Sequence, residues 1–208
     1  ALREHDAVVL QLPIGGGKTG IAGCILRMVV DRGKTADFLC HSHELVDQTA
    51  RTFEDFGIPY GIIAAGYTPS RSQPVQICSI DTLKARLARG ASILTPALIA
   101  LDACHHVASA GWARLMASVG RCKVIGLTAT PERLDGKGLR PPFNAIVSGP
   151  SVAELTEQGY LSSAVVYAPA HDPDLSGVGT VAGDYNRKQL ADVMGASVLI
   201  GDALAHYR

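Results

Sequence analysis

The sequence predicts an α/β fold with a mostly parallel central sheet flanked by helices. Short apolar runs of strand length alternate with longer segments in which apolar residues recur at helical spacing. The short runs are almost continuously apolar, which is typical of strands covered on both faces, and glycines mark many of the turns. Together these observations favour parallel strands joined by crossover helices.

Most of the predicted strands lead into a predicted helix. Ile21, Cys24 and Met28 recur at helical spacing in the first helix, and Gly57 ends the second one. The strands are predicted at 7–12, 36–41, 60–64, 75–80, 97–102 and 123–127, and the helices at 18–31, 44–56, 82–88 and 112–119.

The pattern changes after residue 130. Residues 131–142 are charged and glycine-punctuated and end in two prolines, which predicts an exposed loop. A strand at 145–147, a helix at 152–158 and a strand at 163–167 are predicted next, followed by a linker at 169–183 and helices at 187–194 and 198–206. We therefore expect one domain over residues 1–168 and a linker with helices over residues 169–208.

Composition restricts the class of protein and its compartment. The chain has 208 residues, of which 47% are hydrophobic and 18% charged, and its 19 basic and 19 acidic residues balance. Any nucleic-acid binding must therefore use a local basic surface or backbone amides. Because no apolar stretch reaches the length of a membrane span and the five cysteines suit reduced core thiols, we expect a cytoplasmic protein without a membrane partner. The absence of an initial Met suggests a fragment of a longer chain.

The strongest functional motif is Gly15-Gly16-Gly17-Lys18-Thr19, between a predicted strand and a predicted helix. The glycines let backbone N–H groups and the helix N-terminus converge on phosphates. Lys18 would reach the β and γ phosphates of a nucleotide, and the Thr19 hydroxyl would ligate Mg²⁺. A plain glycine turn is the alternative, but it does not require this strand-to-helix context.

A carboxylate follows the predicted strand at 97–102. Asp102 would emerge at the carboxyl edge of the sheet, where α/β folds bind ligands. There it could hold Mg²⁺ through water. The alternative is that Asp102 only caps the end of the strand. Many phosphoryl-transfer enzymes place a Glu next to this Asp to orient the attacking water, whereas here Ala103 follows. If a Glu belongs there, its loss lowers the rate of hydrolysis by the contribution of a general base, about 10²- to 10⁴-fold. We therefore expect nucleotide binding without efficient hydrolysis.

These motifs resemble the first RecA-like motor domain of superfamily 2 helicases, the group with a D-E-x-H box. In the order of the chain, residues 13–19 are similar to motif I (the Walker A P-loop), 40–48 to motif Ia, 78–83 to motif Ib, 102–106 to motif II with its Glu replaced by Ala103, and 126–131 to motif III. The order and spacing of the motifs make the resemblance specific, and it implies a three-layer RecA-like P-loop fold.

The resemblance implies an ATP-dependent helicase or translocase that uses ATP and Mg²⁺. Thr19 and Asp102 would hold the metal, and the catalytic set would be Lys18, Asp102, His105 and the position of the missing Glu, Ala103. Four residues would contact the nucleic-acid strand, namely Ser42, His43, Ser79 and Thr82, and two would couple the ATP state to that grip, namely Thr128 and Thr130. DNA is favoured over RNA as the partner, and a second RecA-like domain of the full-length protein would complete the ATPase site.

Two other functional classes stay open. If Ala103 is native, the chain would be a non-hydrolysing, nucleotide-gated nucleic-acid binding module; because the neighbouring motif residues are intact, we favour an engineered change. A small-molecule P-loop kinase is disfavoured, since the T-A-T-P segment has no use there.

Several further side chains have a functional and a structural interpretation. Two clusters of cysteine and histidine could suggest a zinc site, but neither has the spacing of known zinc ligands; their residues are Cys40, His41, His43, Cys104, His105 and His106. Trp112 and Tyr67 could stack on bases, but core packing is the preferred interpretation. Arg133 and Lys137 suit either a phosphate contact or a solvated loop.

Overall fold

The structure is a computed structural model that describes residues 1–91, 95–104, 110–131, 138–139, 142–164, 174–181 and 184–195. The chain divides into two compact units, Ala1–Ser162 and Ser163–Arg208. The predicted elements at 163–167 and 198–206 fall mostly or wholly outside the described residues, as does most of the loop predicted at 131–142.

The first unit contains alternating strands and helices, as the sequence predicts. Its strands are β1 (Ala7–Gln11), β2 (Ala36–Cys40), β3 (Tyr60–Ile63), β4 (Val75–Ser79), β5 (Leu98–Leu101), β6 (Lys123–Thr128) and β7 (Ala145–Ser148). Its helices are α1 (Lys18–Val30), α2 (His43–Asp55), α3 (Ile80–Ala88), α4 (Ala110–Val119) and α5 (Val152–Glu157).

Among the described residues of the second unit, two short strands precede a helix. Strands β8 (Thr180–Val181) and β9 (Asp184–Tyr185) pair antiparallel, and helix α6 (Arg187–Met194) follows. The helix agrees with the prediction, whereas the hairpin begins inside the stretch that we interpreted as a linker.

The seven strands of the first unit form one parallel sheet in the order β3-β4-β2-β5-β6-β1-β7. This confirms the predicted α/β class. Because all strands run the same way, the segments that follow β1, β5 and β6 emerge at one edge of the sheet, which we call the carboxyl edge. The opposite edge, where the strands begin, is called the amino edge.

Two apolar clusters cover the two faces of the sheet. On β2, Phe38 belongs to one cluster and Leu39 to the other, because successive strand residues point to opposite faces. Phe38 packs edge-to-face on Phe53 of α2, with ring centroids 5.6 Å apart. Trp112 of α4 is 5% exposed and belongs to the cluster of Leu39, which confirms that it is a core residue.

Within the described ranges, no helix is long and apolar enough to cross a bilayer.

Candidate nucleotide-binding site

The glycine loop between β1 and α1 has the backbone geometry that a phosphate cradle needs. Gly15 and Gly17 have φ angles of 79° and 75°, a conformation that is costly for residues with a β-carbon. Gly17 is also the N-cap of α1, and no side chain accepts a hydrogen bond there. The N–H groups of the first turn of α1 therefore lack a side-chain cap and can donate hydrogen bonds to a bound anion.

The Lys18 ammonium is held by the loop itself. Its Nζ donates to the carbonyl oxygens of Leu12 at 3.1 Å and Pro13 at 2.9 Å. Partial burial lowers the pKa of Lys18, and the negative charge of Asp102 opposes this effect. Lys18 and Asp102, which follow different strands, are therefore within electrostatic range of each other.

Asp102 sits in a tight turn directly after β5. Its N–H donates to the Leu39 carbonyl oxygen at 3.0 Å, and its Oδ1 accepts a hydrogen bond from the Ala103 N–H at 2.9 Å. Ala103 has a φ of 49° and is the one non-glycine residue with positive φ among the described residues. The turn thus fixes the carboxylate at the carboxyl edge, at the cost of backbone strain at the adjacent position.

Two cysteines near Asp102 are buried thiols. Burial, together with the charge of Asp102, raises the pKa of Cys40 and of Cys104 to about 12 each. Cys40 Sγ lies 3.6 Å from the Thr49 hydroxyl oxygen. These protonated thiols are poor metal ligands. Among the described side chains, no group of three or more His, Cys, Asp or Glu is arranged to hold a metal ion.

A magnesium ion suits the donor set that Thr19 and Asp102 supply. Thr19 is the second residue of α1, and its hydroxyl lies one position beyond Lys18, while Asp102 offers a carboxylate at the same edge. Hydroxyl and carboxylate oxygens are the hard ligands that Mg²⁺ prefers, and this ion usually keeps several waters and takes few protein ligands.

The segment after β6 is connected to the phosphate loop through the backbone. Thr128 is 2% exposed, and its Oγ1 donates to the Thr130 carbonyl oxygen at 2.8 Å while accepting from the Thr130 N–H at 3.1 Å. The Thr128 carbonyl oxygen in turn accepts from the Leu12 N–H at 3.0 Å. A shift of the 128–130 turn would therefore be transmitted to the first residues of the loop.

Three of the four residues predicted to contact nucleic acid have structural hydrogen bonds. Ser42 caps α2 and Ser79 caps α3, each by accepting from a backbone N–H three residues later, at 3.3 and 3.4 Å. Thr82 Oγ1 accepts from the Ala65 N–H at 3.1 Å. These side chains thus hold the N-termini of two helices and one loop at the carboxyl edge.

The fourth predicted residue, His43, pairs with an aromatic ring. Its ring lies nearly parallel to that of Tyr67, with centroids 6.3 Å apart and an interplanar angle of 8°. The Tyr67 hydroxyl donates to Asp47 Oδ1. Tyr67 is partly buried and packs against the core cluster that contains Phe38.

One contact with the phosphate loop could not be anticipated. A β-carbon placed on Gly15 would lie 2.8 Å from Cδ2 of Leu161, which follows α5. Leu161 is anchored by a hydrogen bond from its N–H to the Leu155 carbonyl oxygen at 3.1 Å. The two residues are distant in sequence, and nothing in the pattern around Leu161 distinguishes it from other apolar residues.

Four residues with predicted or considered roles, His105, His106, Arg133 and Lys137, lie outside the part of the chain that the structure describes.

Three solved structures share the fold. A nuclease-deletion mutant of the Type ISP restriction-modification enzyme LlaGI, in complex with a DNA substrate mimic, has a TM-score of 0.59 at 14% identity over 76% of this chain and 19% of that chain. The UvsW helicase from bacteriophage T4 has a TM-score of 0.54 at 16% identity over 69% of this chain and 55% of that chain. The Hef helicase domain of Pyrococcus furiosus has a TM-score of 0.56 at 21% identity over 73% of this chain and 36% of that chain. This chain therefore shares its fold with a part of each of these three proteins.

Sequence comparisons identify the family of the chain. The chain is 26% identical over 200 residues, 96% of its length, to a "51.5 kDa protein" of Lactococcus phage (isolate 7-9), and it spans 40% of that protein. Residues 2–133 match the family model described as "Type III restriction enzyme, res subunit". This match covers more than half of the chain, including the glycine loop, Asp102 and the segment at 126–131, and the chain therefore belongs to the Type III restriction enzyme res subunit family.

Proposed function

We propose that this chain is the ATP-binding motor domain of an ATP-dependent nucleic-acid helicase or translocase. The observation that carries the proposal is the electrostatic interaction of Lys18 with Asp102, with Lys18 at the start of a helix whose N-terminus has no side-chain cap. A triphosphate between these two side chains would meet backbone N–H groups and an ammonium on one side. On the other side it would face a carboxylate, which needs a cation between itself and the phosphate.

Binding of ATP requires Lys18 to exchange partners. Its ammonium would leave the carbonyl oxygens of Leu12 and Pro13 and donate to the β and γ phosphates. The phosphate oxygens carry negative charge and the carbonyl oxygens do not, so the attraction between opposite charges favours the bound state. The glycine loop and the first turn of α1 would supply the remaining donors.

Thr19 and Asp102 are the residues that would hold Mg²⁺. A bound Mg²⁺ ion would neutralise the negative charge that develops on the phosphate oxygens. Asp102 is already oriented by its hydrogen bond from the Ala103 N–H, so its second carboxylate oxygen remains available to the metal or to a metal-bound water.

Hydrolysis is the step for which this chain is poorly equipped. A methyl group at residue 103 can neither accept a proton from the attacking water nor orient it. We therefore propose that the chain binds ATP and hydrolyses it about 10²- to 10⁴-fold more slowly than a chain with a carboxylate at this position.

DNA is the proposed partner. The LlaGI mutant that shares the fold was captured with a DNA substrate mimic, which favours DNA over RNA for this chain as well. The N-termini of α2 and α3, capped by Ser42 and Ser79, would face the sugar-phosphate backbone. A second RecA-like domain of the full-length protein would close over the nucleotide.

The nucleotide-gated binding module is retained as a second candidate because of Ala103. The turn would present Asp102 to a metal ion while residue 103 itself supplies no group for water activation, which suits a domain that binds ATP without turnover.

Nucleotide affinity tests the proposed site directly. Lys18→Ala should weaken binding of a fluorescent ATP analogue by roughly 10- to 100-fold, since charged hydrogen bonds to phosphate are lost. Lys84→Ala, which removes an exposed ammonium of α3, is the matched control and should leave the affinity unchanged. Equal affinities of the two variants would remove the proposed site.

Phosphate release separates the two candidate functions. Ala103→Glu in the full-length protein should restore DNA-stimulated release of phosphate if the protein is a motor. ATP-dependent DNA binding with no gain in phosphate release from the same variant would support the binding module instead.

A further inference from the structure

Four neighbouring strands begin around a cavity at the amino edge of the sheet, far from the glycine loop. The cavity has a volume of about 360 Å³ and is lined by Asp6, Lys34, Ala97, Gly120, Arg121, Cys122 and Lys123. Asp6 precedes β1, Lys34 precedes β2, and Ala97 precedes β5. Because β1 spans five residues at about 3.3 Å each, the cavity lies roughly 16 Å from the carboxyl edge and does not overlap the proposed nucleotide site.

Backbone hydrogen bonds make the frame of the cavity rigid. The Ala97 N–H donates to the Thr35 carbonyl oxygen at 2.9 Å, and the Lys123 N–H donates to the Ala97 carbonyl oxygen at 3.0 Å. The Val124 N–H donates to the Asp6 carbonyl oxygen at 2.8 Å. The side chains that line the cavity thus start from fixed positions, which lowers the entropy lost when a ligand binds.

The cavity has a surplus of positive charge. Lys123 Nζ forms an ion pair with Asp6 Oδ1 at 2.7 Å and donates to the His5 carbonyl oxygen at 3.1 Å, so one of its three N–H donors is left for another acceptor. Among the described residues, neither Lys34 nor Arg121 forms an ion pair within 4.0 Å; the charge of Arg121 adds to the effect of Lys123 in lowering the pKa of Asp6. Three cations and one carboxylate leave a formal surplus of two positive charges in a chain whose overall charge is zero.

Two other features modify this surplus. Lys34 and Arg121 follow the C-termini of α1 and α4, whose partial negative charges offset part of it. A buried carboxyl, Asp37, acts electrostatically on Cys122, and burial raises the pKa of Asp37 to about 7, so this group carries only a partial charge at neutral pH. The remaining positive potential suits a compact dianion better than a monoanion.

The remaining lining residues carry no charge. They are Ala97, the half-buried Cys122, and Gly120, where no other atom lies within 4 Å of the place a β-carbon would occupy. These residues can accommodate an organic group, while Arg121 and the two lysines provide donors for an oxyanion. The volume also falls within the usual range of small-molecule pockets, about 300–1,000 Å³.

We propose that the amino-edge cavity binds a small phosphate monoester, whose phosphate is held by Lys34, Arg121 and the free N–H of Lys123. A phosphate monoester carries a charge of about −1.5 to −2 at pH 7, which matches the surplus of the cavity. The Arg121 guanidinium can donate to two phosphate oxygens at once. The site is separate from the proposed ATP site and does not depend on it.

Cys122 provides a local reporter for this site. Of the five cysteines, Cys40, Cys78 and Cys104 are buried and Cys24 is exposed, so Cys24→Ser leaves Cys122 as the accessible thiol. The rate of its alkylation by N-ethylmaleimide would be measured by peptide mass spectrometry, with and without phenyl phosphate, in a Lys18→Ala background that disables the glycine loop. We expect saturable protection of at least threefold by phenyl phosphate and none by benzyl alcohol.

Substitution of the two unpaired cations tests the assignment. Lys34→Gln/Arg121→Gln should abolish the protection, whereas Lys84→Gln/Arg51→Gln, which removes two cations elsewhere on the surface, should leave it intact. Protection that survives in the first variant, or that benzyl alcohol matches, would overturn the proposal.

A second measurement applies if Cys122 resists alkylation. Calorimetric titration of the Lys18→Ala protein with phenyl phosphate should give a binding signal that the Lys34→Gln/Arg121→Gln change removes. A titration with no heat of binding at millimolar ligand would equally reject the site.

Discussion

Cys104 packs so closely against Gly126 that no side chain fits between them. A β-carbon on Gly126 would lie 2.7 Å from Cys104 Sγ and 2.8 Å from Cys104 Cβ. Cys104 comes two residues after Asp102, and Gly126 lies within β6, two residues before Thr128. The turn that carries the candidate metal ligand is therefore docked on the strand that leads to the 128–130 turn.

Gly126→Ala should disturb this docking. The new methyl group would also lie 2.6 Å from the Phe143 ring, so Cys104 or Phe143 has to move, and overpacking of this kind costs about 1–3 kcal/mol in the free energy of unfolding. Because Cys104 moves with the Asp102 turn, ATP affinity should fall as well. Urea denaturation and nucleotide titration check both effects.

The control for this change is Gly177→Ala, where no atom lies within 4 Å of the new β-carbon. A Gly126→Ala protein with the stability and ATP affinity of this control would show that the contact is loose in solution.

Ala103→Gly should stabilise the fold. The positive φ of 49° costs a residue with a β-carbon about 1–2 kcal/mol, while the greater freedom of glycine in the unfolded chain costs about 0.4–1 kcal/mol. We expect a net gain of about 0.5–1 kcal/mol in the free energy of unfolding. Ala117→Gly, on the exposed side of α4, should instead lower the free energy of unfolding by about 1 kcal/mol. If both changes destabilise the protein equally, the turn at Ala103 is not strained.

Asp37→Asn should change the dependence of stability on pH. Asp37 is 4% exposed, and burial raises its pKa from 3.8 to about 7. Between these two pH values the unfolded chain has released the proton and the folded chain still binds it, so the wild type loses stability as the pH rises. The loss levels off above pH 7 and amounts to about 4 kcal/mol at 1.36 kcal/mol per pKa unit.

The neighbour of Asp37 explains why asparagine is the suitable replacement. Asp37 faces Gln76 across β2 and β4, and Gln76 Nε2 donates to the Gln73 carbonyl oxygen at 2.8 Å. Gln76 Oε1 is buried without a hydrogen-bond partner among the described residues. A protonated Asp37, or the side-chain amide of the Asp37→Asn variant, places a hydrogen-bond donor at the position paired in register with Gln76. Urea denaturation at pH 5, 6, 7 and 8 should therefore show wild-type and variant curves that diverge with rising pH; parallel curves would contradict the buried-acid account.

The sequence predicts the elements well because both faces of the sheet are covered. The strand predicted at 97–102 corresponds to Leu98–Leu101, and the helix predicted at 44–56 corresponds to His43–Asp55. Continuous apolar runs of this length leave few alternatives to a buried strand. The strand predicted at 75–80 ends one residue early, because Ser79 caps the next helix.

The parts of the site that the sequence does not predict depend on tertiary contacts. Neither the approach of Leu161 to Gly15 nor the ring pair of His43 and Tyr67 has a local pattern, since each joins segments that are separate along the chain. The positive φ of Ala103 is also invisible, because alanine normally avoids it. The charge surplus of the amino-edge cavity arises only when the starts of four strands are brought together.

Leu161→Ala should weaken ATP binding without touching any group that contacts phosphate. Leu161 packs on Gly15 and restricts the glycine loop before the nucleotide arrives. If about 1 kcal/mol of this preorganisation is lost, affinity for ATP should fall by roughly fivefold. Tyr160→Ala is the matched control, because the adjacent Tyr160 side chain is 75% exposed and should leave the affinity unchanged. Titration with a fluorescent ATP analogue distinguishes the two, and an unchanged affinity of the Leu161→Ala protein would mean that the loop is ordered by its own hydrogen bonds alone.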